Sequence, residues 1–168
     1  VMTGDMAVES SDYDVWFNSW HTNQFQGNNY AYAQFIWNYY WPFVQTQNNL
    51  IAAIDTTSAT KAQLGMLGAA QAYRALAYLE MSQMFEFLPN DKTSSVNASG
   101  NDVLNLTVPI VNETTTEQEA RNNPRVHRDS IAKFILGDLE EAEKNIVNLE
   151  FTSETLPHLD AVYGLKAR

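Results

Sequence analysis

The chain of 168 residues contains no cysteine, which excludes disulfides, thiol nucleophiles and thiolate metal sites within it, without fixing a compartment. It also has no run of about 18 or more apolar residues, and no basic segment leading into an apolar one, so neither a membrane span nor a signal peptide is expected within it. Basic residues are scarce: 10 Lys and Arg stand against 20 Asp and Glu, for a formal charge of -10. A surface of that sign repels phosphate backbones, and nucleic acid is not an expected partner. Nucleotide-binding loops, dinucleotide fingerprints and nucleophile elbows are missing as well. What is present is a hydrophobic fraction of 45%, enough for the core of one domain of ordinary size.

Four segments have helical periodicity. The first starts at Pro42, suited to a first helical turn, and repeats Phe43, Leu50, Ile51 and Ile54 before Asp55, Thr56 and Thr57. The second starts near Ser58 or Thr60 and runs Leu64, Leu67, Ala70, Tyr73, Ala77, Met81 and Met84 or Phe85 along one stripe, with Pro89 as its stop. Alanines at 69, 70, 72, 75 and 77 allow another helix to approach closely, so this helix is expected to lie between neighbours. The third, capped by Asp129 or Ser130, places Ile131, Phe134, Ile135, Leu139, Ala142, Ile146 and Leu149 on one face and Glu140, Glu141, Glu143 and Lys144 on the other. The fourth follows Pro157 with Ala161, Leu165 and Ala167, and Arg168 arrives without a stop signal, which suggests a longer protein cut at this point.

Residues 88–127, rich in Asn, Thr, Ser and Asp, are too long for a plain connection and read as a functional or flexible surface loop. Its one plausible strand, "LTVPIV" at Leu106 to Val111, contains Pro109 and is expected to be isolated or at an edge, with no sheet. Asn97, Asn105 and Asn112 head Asn-x-Ser/Thr triplets, which such a composition produces by chance. The expected fold is therefore all-α: a single domain, 1–168, of tetratricopeptide-like helical hairpins with a long irregular insertion.

Of the 20 aromatic residues, 13 fall between Tyr13 and Phe43, including all four tryptophans. Flat apolar sugar faces stack on exposed rings while Asn, Gln and His bond hydroxyls, and "VWFNSWHTNQFQGNNYAY" mixes both kinds of residue. Such rings also fill cores. Trp37, Tyr39, Tyr40, Trp41 and Phe43, beside or inside the first helix, are expected in the core, whereas Trp16 and Trp20 suit either role. His21, His127 and His158 lack metal-ligand spacing. Arg74 reads as a structural arginine bonded to helix ends or to a buried carboxylate. Glu140, Glu141 and Glu143 diverge around a helix and cannot converge on a glycosidic bond. Neither a metal nor another cofactor is called for, and no acid and base pair stands within the aromatic region to suggest an enzyme.

"AQAYRALAYLEMSQMFEFLPN" resembles a helix of the SusD/RagB family, in which an Ala-x-x-x-Arg-Ala core leads to "fGdvP"; the matching positions are Ala70, Arg74, Ala75, Tyr78 and Pro89. The chain differs at Glu86, Phe87 and Leu88, where the family often has Gly, Asp and Val. In the same order as the family come Asn48, "VPIV" at Val108 to Val111, "ILGDLEEA" with Ile135, Asp138, Leu139 and Ala142, and "AVYGLKAR" with Ala161, Leu165, Ala167 and Arg168. The resemblance covers residues 42–168 and implies the N-terminal part of a surface-exposed outer-membrane lipoprotein of Bacteroidetes. Such a protein binds an oligosaccharide without cleaving it and passes it to a SusC-like TonB-dependent transporter. It would be held to the membrane only by a lipid on a cysteine upstream of Val1.

"WHTN" is similar to a Trp-x-x-Asn element of the starch-binding member of the family, which implies glycan contacts for Trp20 and Asn23. Trp16 and His21 are further candidates from the same segment. The competing expectation is a tetratricopeptide-like protein-interaction scaffold without glycan binding.

Overall fold

The computed structural model describes residues 31–150 and 153–168, with side chains from Gln34 onward. Among the described residues there are five α-helices and no strand: α1 (Ala31–Ala53), α2 (Lys61–Phe85), α3 (Glu117–Arg121), α4 (Arg128–Ile146) and α5 (Leu159–Ala167). The protein is all-α. It divides into two compact units, Val1–Trp41 and Pro42–Arg168.

The first helix starts at Ala31 rather than at Pro42, which lies inside it. An interior proline leaves the carbonyl four residues earlier without its helical donor. That residue is Asn38, and both Asn38 and Pro42 are exposed, so water can take the donor's place. Residues 31 to 41, ahead of the start expected at Pro42, are therefore helical as well.

Thr60 caps α2 with a reciprocal box: its hydroxyl accepts from the Gln63 N–H, and the Gln63 side chain accepts from the Thr60 N–H. The helix stops at Phe85, before any restriction from Pro89. Glu86 turns extended, and Phe87 exchanges backbone bonds with the insertion, donating to the Leu106 carbonyl (3.1 Å) and accepting from Asn105 N–H (2.9 Å). Burial on α2 is not a stripe. Gly65, Leu67 to Ala72, Arg74, Ala75, Ala77, Tyr78, Met81 and Ser82 are all buried, whereas Met84 is exposed. A helix buried on most of its circumference has neighbours on several sides, as its alanines suggested.

The main neighbour is α4, which runs antiparallel to it. Gly65 meets Leu149, Gly68 meets Ile146, Gln71 accepts from Asn145, Arg74 meets Asp138 and Tyr78 packs edge-on against Phe134. A Cβ added to Gly65 would stand 2.5 Å from the Leu149 Cα, so the two backbones approach closely only because α2 carries no side chain at this point. The face of α4 toward α2 holds Ile131, Ile135, Leu139, Ala142 and Ile146, with Glu140, Glu141 and Lys144 in solvent. Its N-cap is His127, whose Nδ1 accepts from the Asp129 N–H (3.3 Å), rather than Asp129 or Ser130. The α5 helix packs on α4 and α2, with Lys166 paired to Glu143 and Arg168 paired to Glu80.

The insertion is only partly a surface loop. Thr107 and Val108 are fully buried. Thr107 donates its N–H to the Val126 carbonyl (2.8 Å) and Val126 donates back to Val108 (3.2 Å), giving a short antiparallel pairing between its middle and its C-terminal end. Arg125 fastens this pairing to the end of α2 by donating to the carbonyls of Thr107 and Phe85. Asn105 adopts φ 58°, a left-handed conformation that asparagine tolerates, and its N–H and C=O bond Phe87 and Arg128. Farther out, 95–103 forms a small turn in which the Asn97 side chain accepts from Ser99 and Asn101.

Candidate functional site

The densest polar cluster in the Pro42–Arg168 unit is centred on Arg74, 4% exposed on the inner face of α2. Its Nε and Nη2 donate to the two carboxylate oxygens of Asp138 at 2.8 and 2.7 Å, a bidentate fork. Its Nη1 donates to the Asn48 side-chain oxygen (2.7 Å) and to Glu113 Oε2 (2.5 Å). The Phe134 ring lies 5.2 Å from the guanidinium carbon, adding a cation–π contact. Asn48 then donates its amide to the Val111 carbonyl (3.0 Å), and the Tyr78 hydroxyl both donates to Val111 O and accepts from Val111 N (2.8 Å each).

The electrostatics follow from burial. Desolvation pushes the Asp138 carboxyl above its ordinary value, against the pull of the Arg74 guanidinium, while Glu113 adds to the push. Burial works against the charge on Arg74 too, yet the bonds to Asp138 and Glu113 hold its pKa above the usual arginine value. The two-pronged fork is that of a charged pair, with both groups ionised at neutral pH. Glu113 is partly buried, but its bond to Arg74 outweighs that and lowers its pKa. Burial raises the Tyr78 phenol to about 12, despite the opposing Val111 N–H and Arg74 charge.

This arrangement spends the guanidinium on its own chain. Four of the five N–H donors that an arginine possesses are taken, so the cluster offers an incoming anion little. Both carboxylates point at Arg74 rather than across a cleft at each other. The cluster is a clamp: it joins α1, α2, α4 and the 111–113 stretch of the insertion, and Arg74 is the structural arginine expected, bonded to a buried carboxylate. Glu113 had no visible signal in sequence, since it stands in an Asn-x-Thr triplet of a polar loop.

Trp16, Trp20, His21 and Asn23, the candidate glycan contacts, lie outside the described residues. Of the rings expected in the core, Tyr39 is instead 62% exposed, and Trp37, Tyr40, Trp41 and Phe43 are half-buried. The reason is helical phase: positions 35 and 39 share one face of α1, and that face meets solvent. Trp37 and Trp41 pack edge to face at 5.3 Å, and Phe43 packs against Tyr73 at 5.6 Å. His127 and His158 are both N-cap residues. Among the described residues, no three His, Asp or Glu side chains are grouped to hold a metal ion, and no helix is long and apolar enough to cross a membrane.

No protein-family model matches the chain, and no curated protein matches it.

Proposed function

We propose that this chain is part of a SusD/RagB-like glycan-binding lipoprotein of the bacterial outer surface, which captures a nutrient oligosaccharide and delivers it to a TonB-dependent transporter. It does no chemistry on the sugar. One observation carries the reading: among three positions of the resembling motifs that lie far apart in sequence, Arg74 donates directly to both Asn48 and Asp138. The "VPIV" motif joins the same cluster through Val111. Unrelated chance matches would have no reason to meet in one clamp. The clamp has a structural role and leaves binding to the aromatic and amide residues of the N-terminal segment, with Trp20 stacking on a sugar face, Asn23 bonding hydroxyls, and Trp16 and His21 beside them.

Affinity built from a few stacked rings and amide bonds falls in the micromolar range or weaker. The charge of -10 disfavours sulfated and uronic acid-rich polymers. The test is isothermal titration and affinity electrophoresis of the full-length protein against neutral and acidic glycans, with Trp20→Ala and Asn23→Ala beside wild type. A neutral glycan that binds wild type and is lost in Trp20→Ala, with melting unchanged, supports the assignment. Absence of binding to every glycan, with capture of peptides in its place, would favour the scaffold alternative.

A further inference from the structure

Phe35 and Tyr39 are 64% and 62% exposed, on one face of α1. Their rings lie side by side, with centroids 6.4 Å apart and planes inclined by 26°. Tyr40 meets Tyr39 edge-on at 5.3 Å, which braces the outer ring in place. Asn38, exposed at the position before Tyr39, adds an amide group to this part of α1. Large aromatic rings left in water on successive turns of a helix form a ready contact surface for an apolar face.

The surrounding sequence selects the ligand class. Between Asp14 and Asp55 there is no Asp, Glu, Lys or Arg. At the chain's average of 18% charged residues, the 40 positions between them would carry about seven. A polyanion or a charged peptide would find no counter-charge within this stretch of sequence, whereas a neutral polyhydroxylated chain needs none: its C–H faces stack on rings and its hydroxyls bond amides. We propose that the Phe35–Tyr39 face of α1 is a stacking platform for a neutral oligosaccharide, a subsite that deepens the glycan-binding reading above and rests on it.

The test uses the full chain, titrated with soluble α-glucan, mannan and xyloglucan as neutral probes and polygalacturonate as the acidic one. The variants are Phe35→Ala/Tyr39→Ala, the ring-retaining pair Phe35→Tyr/Tyr39→Phe, and Trp20→Ala, each checked by circular dichroism and gel filtration. The expected result is a neutral polymer bound by wild type and by the ring-retaining pair, and about tenfold more weakly by the alanine pair, the factor that ~1.4 kcal/mol of lost contact represents. If the alanine pair loses its fold, Phe35→Gln and Tyr39→Gln singly serve instead, each expected to weaken binding by about threefold or more.

Unchanged affinity in the ring-less variants while Trp20→Ala abolishes binding would overturn the platform and leave the functional reading intact. Preference for polygalacturonate would overturn it as well. So would loss of self-association in the ring-less variants without change in glycan affinity, since the face would then belong to a second copy. Wild type that binds none of the polymers would refute both readings together.

Discussion

Replacing Asp138 by asparagine keeps the shape of the clamp and removes one buried charge. Asp138 is 7% exposed and takes both prongs of the Arg74 fork. Taking one partner from a buried pair costs about 3–5 kcal/mol, because the remaining charge stays out of water. Glu113, with its side chain 30% exposed, still neutralises part of the guanidinium, so the lower end, about 3 kcal/mol, applies. For a domain of this size that corresponds to a fall in melting temperature of roughly 6–12 °C. Urea unfolding measures it directly, as a lower midpoint with an unchanged slope. The companion variant Arg74→Met/Asp138→Leu removes both charges and fills the space with apolar groups, and should recover most of the loss. A cost under about 1 kcal/mol for Asp138→Asn would refute the argument, since it would mean that water reaches the pair and screens it.

Two further predictions separate packing from charge. Acid should loosen the clamp through Glu113: its folded pKa is lowered, so its contribution is complete above the ordinary value of 4.5 and disappears as pH falls through the lowered one. The exposed Asp55, Asp102 and Glu119 and the half-buried Glu143, all lowered, side with Glu113. Melting temperature should therefore drop between about pH 5 and 3, and drop less steeply in Glu113→Gln; parallel curves would exclude Glu113 as a contributor. The second prediction concerns glycine: Gly65→Ala drives a Cβ into the Leu149 backbone and should destabilise by about 1–3 kcal/mol, whereas Gly137→Ala on α4 meets nothing within 4 Å and should stabilise by roughly 0.5–1 kcal/mol. Equal signs for the two in denaturant unfolding would contradict the close approach of α2 and α4.

Helical periodicity made the all-α class and the inner face of α4 readable, because one face of an amphipathic helix repeats visibly every turn. The same rule misplaced the start of α1. Pro42 favours a first turn in general, but an exposed interior position can tolerate the loss of the helical donor to the Asn38 carbonyl. The α2 residues read as a stripe when the helix is buried on most sides, since alanine and glycine carry little pattern of their own. Density of aromatic residues suggested a core for Tyr39, and helical phase turned it to water. The Arg74 partner was foreseen as a kind of group, and Asp138 and Asn48 were already singled out by motif, yet their meeting with Glu113 and Val111 was not.

The sequence by itself determined the helical class, the absence of thiol chemistry and the concentration of rings and amides before Phe43. These depend on residue identity and on spacings of a few positions. The tertiary structure alone decided that α2 pairs antiparallel with α4 through Gly65 and Gly68, that Thr107 and Val108 are buried, and that one guanidinium ties three helices to the insertion. Such contacts join residues dozens of positions apart, and their energy comes from excluding water at the point where the chain folds back on itself. No local pattern encodes that exclusion.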